Sequence, residues 1–207
     1  MENLDSIRLK IADMAALSFS MWQTAHRAFL EHDIDLLTRV LTDEQKLNNL
    51  EKEITSELVA FGRAVTDKSE KAKTLIFADI VGDLELIGDY CKDILERVQI
   101  KIEEKLLFSD EAVKEYEVLY QKTEKALHEV VYALKQDNPD LVGQVLKNQE
   151  HIDTLVDEYR LRHNQRMLDG VCSPIACNMF LNILDFTAAV YYHAKKIARN
   201  LIKIKKV

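Results

Sequence analysis

Glu85 and Asp89 stand four residues apart in the segment Asp83-Leu-Glu-Leu-Ile-Gly-Asp-Tyr90, and on a helix that spacing sets two carboxylates on the same side. Carboxylates so placed can share a hard cation, which takes several oxygen ligands. At about 100° per residue, the two acids fall opposite the stripe of Ile80, Ile87 and Val98 and are expected outside the core. Gly82 lies close to the same side, where a missing Cβ would let another backbone or a surface-bound ion cluster approach. The plainer account of such a pair is a solvated acidic helix face without an ion.

Other chemistry finds less support. A ferritin-like di-iron oxidase needs Glu three residues before His on two helices. None of His26, His32, His128, His151, His163 and His193 has Glu at that position, and they are too dispersed for a zinc pattern. They read as surface or satisfied helix positions. Cys91, Cys172 and Cys177 form no disulfide framework. The gap between the last two lacks the second Cys or His pair of a zinc module, so reduced, buried thiols are expected. There is no glycine-rich phosphate loop, which argues against nucleotide hydrolysis.

The elements that must position the acids are helices. With 207 residues and 47% hydrophobic content the chain can bury a core of ordinary size, and five Gly and two Pro leave little material for hairpins. Asp33, Ser69, Ser109, Asn138 and Ser173-Pro174 are start signals, and Gly170 is a stop. They predict six helices, roughly 7–31, 34–65, 70–106, 110–136, 139–168 and 174–204. In the second, Leu36, Val40, Leu47, Leu50, Ile54, Leu58 and Phe61 recur on one stripe that must face other helices.

Laying residue 28 on residue 133 aligns the two halves without a gap for about 27 positions, pairing Ala28 with Ala133, Val40 with Val145, Leu50 with Leu155 and Glu53 with Glu158. The expected fold is all-α: two tandem three-helix repeats, 7–106 and 110–204, packed as a pseudo-twofold six-helix bundle within one domain spanning 1–207.

These features resemble the PhoU family of phosphate-uptake regulators, which are built from two such repeats. The resemblance covers nearly the whole chain and is carried by Asp83-Leu-Glu-Leu-Ile-Gly-Asp-Tyr90 with Lys92-Asp-Ile. Glu44 to Ile54 is similar to the family's second-helix acidic segment, and Glu150-His-Ile-Asp-Thr-Leu155 is its counterpart in the other half. Arg63-Ala-Val-Thr-Asp-Lys-Ser69 departs from the Arg-Gln-Pro stretch of the archetypal regulators. Arg162-His163 through Leu168-Asp-Gly170 and Cys172-Ser-Pro resembles instead the PhoU-like cytoplasmic domains of sodium/phosphate cotransporters. The chain is thus either a stand-alone relative or the soluble piece of such a transporter.

In members that bind metal, acids four apart on neighbouring helices hold clusters of iron or similar ions. The resemblance therefore implies a metal site at Glu44, Glu85 and Asp89 in the first repeat, for iron, manganese or another divalent cation, with Asn48 where Asp is expected. In the second repeat Ala188 and Tyr192 stand where acids would be, with Gln149 and Asp153 on the partner helix, and no cluster is expected.

The function implied is non-enzymatic: restraint of phosphate uptake or signalling through contact with a phosphate transporter or its histidine kinase. The rival reading is a general helical adaptor that keeps the motif only for packing. A net charge of −7 opposes nucleic-acid binding. The N-terminus shows no secretory signal, and the greasiest stretch, taken as Leu75 to Ile94, is interrupted by five acids, so a cytoplasmic protein is expected, alone or held at the membrane through a transporter. Lys195, Lys196, Arg199, Lys203, Lys205 and Lys206 suit a helix C-terminus and could also dock on an anionic membrane surface. Apolar side chains unused by the core could join two copies as a homodimer.

Overall fold

Scarce breakers and well-placed caps give long helices. The computed structural model describes residues 3–33, 35–147 and 152–207. Helix α1 (Leu4–Glu31) starts where the Asn3 side chain accepts the Ser6 N–H, and it ends at His32 in the left-handed conformation, φ 54°. Helix α2 spans Asp35–Ala64, with Asp33 accepting the Asp35 N–H at 2.8 Å. Helix α3 (Lys68–Glu103) is capped by Asp67, not by Ser69, because the Asp67 carboxylate accepts the Glu70 N–H. Helix α4 (Asp110–Gln136) is capped by Ser109.

The fifth run is not read as one regular helix. Asn138 opens a 3-10 turn, Pro139–Val142, which leads into helix α5, described over Gly143–Lys147, and α6 is described over Ile152–Leu168. Pro139 fits the first turn, whose N–H groups lack intrahelical partners. The expected counterpart of the acidic segment at Gln149, Glu150 and His151 lies outside the described residues. Gly170 then takes a positive φ of 73°, which glycine adopts without a Cβ penalty. Ser173 caps α7 (Pro174–Ile204).

Helices α1, α2 and α3 pack on one another, and α4, α6 and α7 do the same. The two groups meet through equivalent members, α1 against α4 and α3 against α7, the latter being the most extensive helix interface. This is the pseudo-twofold six-helix bundle. The aligned pairs Ala28 with Ala133 and Val40 with Val145 are buried in both halves. Trp22 of α1 stacks on Tyr120 of α4, with centroids 5.4 Å apart, and ties the halves together.

The most apolar long helix is α7, not the stretch from Leu75 to Ile94. By length and composition α7 could cross a membrane, and half of its apolar window is buried in the bundle. That burial against α3, α4 and α6 accounts for its composition.

Candidate functional site

The acidic segment lies on α3 where α2 comes close. An ideal Cβ on Gly88 would run into the tip of the Leu47 side chain, so glycine here lets the fully buried Leu47 of α2 seat against α3 without shifting. Gly82, where close approach was expected, has nothing within 4 Å of an added Cβ. Packing around Gly88 brings Glu44 and Glu51 of α2 near Glu85, and Glu44 near Asp89 as well.

Glu85 and Asp89 are therefore half-buried against α2 and not on a bare solvent face. Glu44 is buried; its Oε1 accepts from Asn48 Nδ2 at 2.9 Å and lies 3.5 Å from Lys92 Nζ. Glu85 and Asp89 lie near enough to each other for each to shift the other's carboxyl. Burial raises the Glu85 carboxyl above its usual range, and the charges of Asp89, Glu51 and Glu44 raise it further. The Asp89 carboxyl is raised too, first by burial and then by Glu44, with Lys92 opposing.

These shifts have a sign. With both carboxyls above their ordinary values of 4.5 and 3.8, the folded protein holds protons that the unfolded chain has released. The stabilisation is full below the ordinary values and is lost as pH rises through the folded ones. Relative to Glu85→Gln with Asp89→Asn, the wild type is thus expected to lose stability as pH is raised from about 4 toward neutrality. Denaturant melts at stepped pH check this; a constant difference between the two proteins would show that the acids do not repel.

The donor set suits a hard cation. Glu44, Glu85, Asp89 and Glu51 offer only oxygen, and Asn48 Oδ1 is buried without a protein hydrogen-bond partner. In the second repeat the positions matched to Glu85 and Asp89 hold Ala188 and the exposed Tyr192, which supply no carboxylate.

The deeply buried acid of the segment is its first residue, Asp83, only 1% exposed. Its Oδ1 contacts His193 Nδ1 at 2.9 Å and accepts from Lys196 Nζ at 2.8 Å. Asp83 thereby clamps α3 to α7 across the halves. The signal was present in the sequence: Asp83 follows Ile80 by three and precedes Ile87 by four, so it is a charge on the apolar stripe.

Two further clusters were not foreseen. Glu115 of α4 holds the Arg166 guanidinium in a two-bond fork, 3.1 and 2.5 Å, and Arg166 Nη2 also lies 3.1 Å from His163 Nδ1. His163 and Cys177 are buried and Cys172 is half-buried. The three lie together, although the spacing of histidines and cysteines along the chain gave no such pattern. At the C-terminus Lys196 is engaged by Asp83 and Lys205 by Asp140, which neutralises part of the basic run within the chain.

Fold and acidic segment together define a tandem three-helix-repeat bundle whose first repeat carries a carboxylate cluster. Residues 11–98 match the PhoU domain. The Phosphate-specific transport system accessory protein PhoU homolog 1 of Thermotoga maritima is 30% identical over 89 residues, a match covering 43% of this chain and 38% of that protein. PhoU from Pseudomonas aeruginosa superposes with a TM-score of 0.91 at 20% identity, covering 98% of this chain and 97% of that one. The phosphate transport system regulatory protein PhoU from Streptococcus pneumoniae gives 0.85 at 14% identity, over 97% and 93%. Residues 11–98 thus match the PhoU domain, and the whole chain has the fold of these PhoU structures.

Proposed function

We propose that the chain regulates phosphate uptake by protein contact and not by catalysis, inside the cell, acting on a phosphate transporter or on the histidine kinase that signals phosphate supply. The observation that carries this reading is the PhoU-domain match over residues 11–98, because that span contains Glu44, Glu85 and Asp89. The Thermotoga relative is named as an accessory protein of phosphate-specific transport. The reading holds equally for a stand-alone protein and for a domain tethered to a cotransporter.

The same reading assigns Glu44, Glu85 and Asp89 to a divalent cation such as iron or manganese, with Asn48 Oδ1 beside them. When bound, a cation supplies the positive charge that offsets the mutual repulsion of these carboxylates. The residues themselves set the charge and shape of the α2–α3 face that a partner meets. The C-terminal cations not held by Asp83 and Asp140 suit the anionic membrane surface beside a transporter.

Labelled phosphate uptake, measured in cells lacking the chain and again with it restored, tests the proposal. Uptake altered by the loss and corrected by restoration is expected. Uptake unchanged by both would leave a helical adaptor unrelated to phosphate as the better reading.

A further inference from the structure

We propose that His163, Cys172 and Cys177 form a binding site for a thiolate-seeking transition metal ion such as zinc, separate from the acidic face of the first repeat. Their ligand atoms, one from each side chain, all lie within 4.8 Å of one another. Among the described residues this is the group of three His, Cys, Asp or Glu side chains that converges so closely.

The turn between α6 and α7 builds the site. Val171 N–H reaches back to Arg166 O at 2.9 Å, and Gly170 reverses the chain at φ 73°. Ser173 caps α7 with its hydroxyl accepting the Ala176 N–H at 3.2 Å. Cys172 is thereby held just before α7 and Cys177 on its first turn, both facing the last turns of α6. Cys172 Sγ is 4.0 Å from His163 Nε2, and Cys177 Sγ is 3.9 Å from the His163 carbonyl. The His163 ring is fixed by stacking on Phe180, centroids 4.4 Å apart.

The dimensions and the chemistry both fit. Zinc with Zn–S of ~2.3 Å and Zn–N of ~2.0 Å places its ligand atoms roughly 3.5–3.8 Å apart in a tetrahedron, so the side chains need to close by at most roughly 1.3 Å. Two thiolates and a neutral imidazole balance the ion's two charges, and the adjoining Glu115–Arg166 pair is itself neutral, so the burial carries no net charge. His163 is already neutral, since burial and the Arg166 charge push its pKa down to about 4. Burial pushes the Cys177 thiol up to about 11, so an ion binding there has to displace its proton.

Binding is a balanced exchange. The ion enters, Cys172 and Cys177 each release one proton, and the two S–H bonds are replaced by two metal–sulfur bonds. Arg166 now donates to His163 Nδ1, which places the imidazole proton on Nε2, toward Cys172. On binding, that proton moves to Nδ1 and Arg166 keeps its other partner, Glu115. Cys172, the half-buried member, marks the side of entry.

Zinc is titrated into the full-length chain under a non-thiol reductant against a competing chelator, with cobalt as a spectroscopic substitute. The wild type is expected to bind one ion at this site, releasing two protons and giving sulfur-to-cobalt charge-transfer absorption. Cys172→Ser, at a half-buried position, is expected to stay folded and to weaken zinc binding by more than ~100-fold, beyond what loss of an outer partner costs. Glu85→Ala with Asp89→Ala should keep this ion, which separates the site from the acidic face. Equal binding by wild type and folded Cys172→Ser, loss of the ion in the acidic double variant instead, or no sulfur-to-cobalt band would each overturn the proposal.

Discussion

Glu115→Ala is expected to cost about 3–5 kcal/mol and to lower Tm by roughly 6–20 °C, because it strands a buried cation. The Glu115 and Arg166 side chains are only 9% and 14% exposed, and their fork joins α4 to α6. With the carboxylate gone, the Arg166 guanidinium faces a neutral imidazole, and its Nε has no protein hydrogen-bond partner even in the wild type. The charge, not the lost contact, makes the loss large. Glu115→Ala combined with Arg166→Met is therefore expected to recover most of the stability, since it removes both charges. The exposed pair Arg160–Asp185, at 40% and 47%, is the contrast, and breaking it should cost no more than about 1 kcal/mol. Denaturant melts of the four proteins check this; equal losses for the buried and exposed pairs would contradict it.

Trp22→Ala is the second large effect, expected at about 3–5 kcal/mol. Trp22 is fully buried and stacks on Tyr120, which stacks in turn on His26 at 3.4 Å between centroids. Truncation opens a cavity between α1 and α4, the contact that joins the halves through their first helices. The Nε1 atom has no protein hydrogen-bond partner, so Trp22→Phe, which keeps a ring and removes that donor, should lose much less. As Trp22 is the sole tryptophan, its fluorescence and the helical circular dichroism are expected to change together in one transition of the wild type. A loss below about 1 kcal/mol for Trp22→Ala would mean that this layer does not hold the halves together.

The helical architecture was legible because stripes such as Leu36, Val40, Leu47 and Ile54 admit one period, and because Asn138, Ser109, Ser173 and Gly170 mark ends by local chemistry. The cap at Asp67 was missed since Ser69 is an equally good signal two residues on. The acidic site was legible in composition but not in placement. A wheel for α3 gives angles relative to its own apolar stripe and says nothing of where α2 lies, so Glu85 and Asp89 read as facing solvent. The decisive glycine for the approach of α2 is Gly88, one residue from Asp89, and not Gly82. His163, Cys172 and Cys177 are united by a turn whose direction depends on Gly170 at positive φ, a three-dimensional fact that linear spacing does not carry.

The central claim is that the α2–α3 acidic face, which lies within the span matching the PhoU domain, takes part in phosphate regulation. Its most direct test is labelled phosphate uptake at equal protein abundance, with wild type and Glu85→Ala, Asp89→Ala each restored to cells lacking the chain. Half-buried carboxylates that repel one another contribute little stability, so the variant is expected to fold as the wild type does. The account predicts that the folded variant fails to restore the phosphate response. A full response from the folded variant would contradict it.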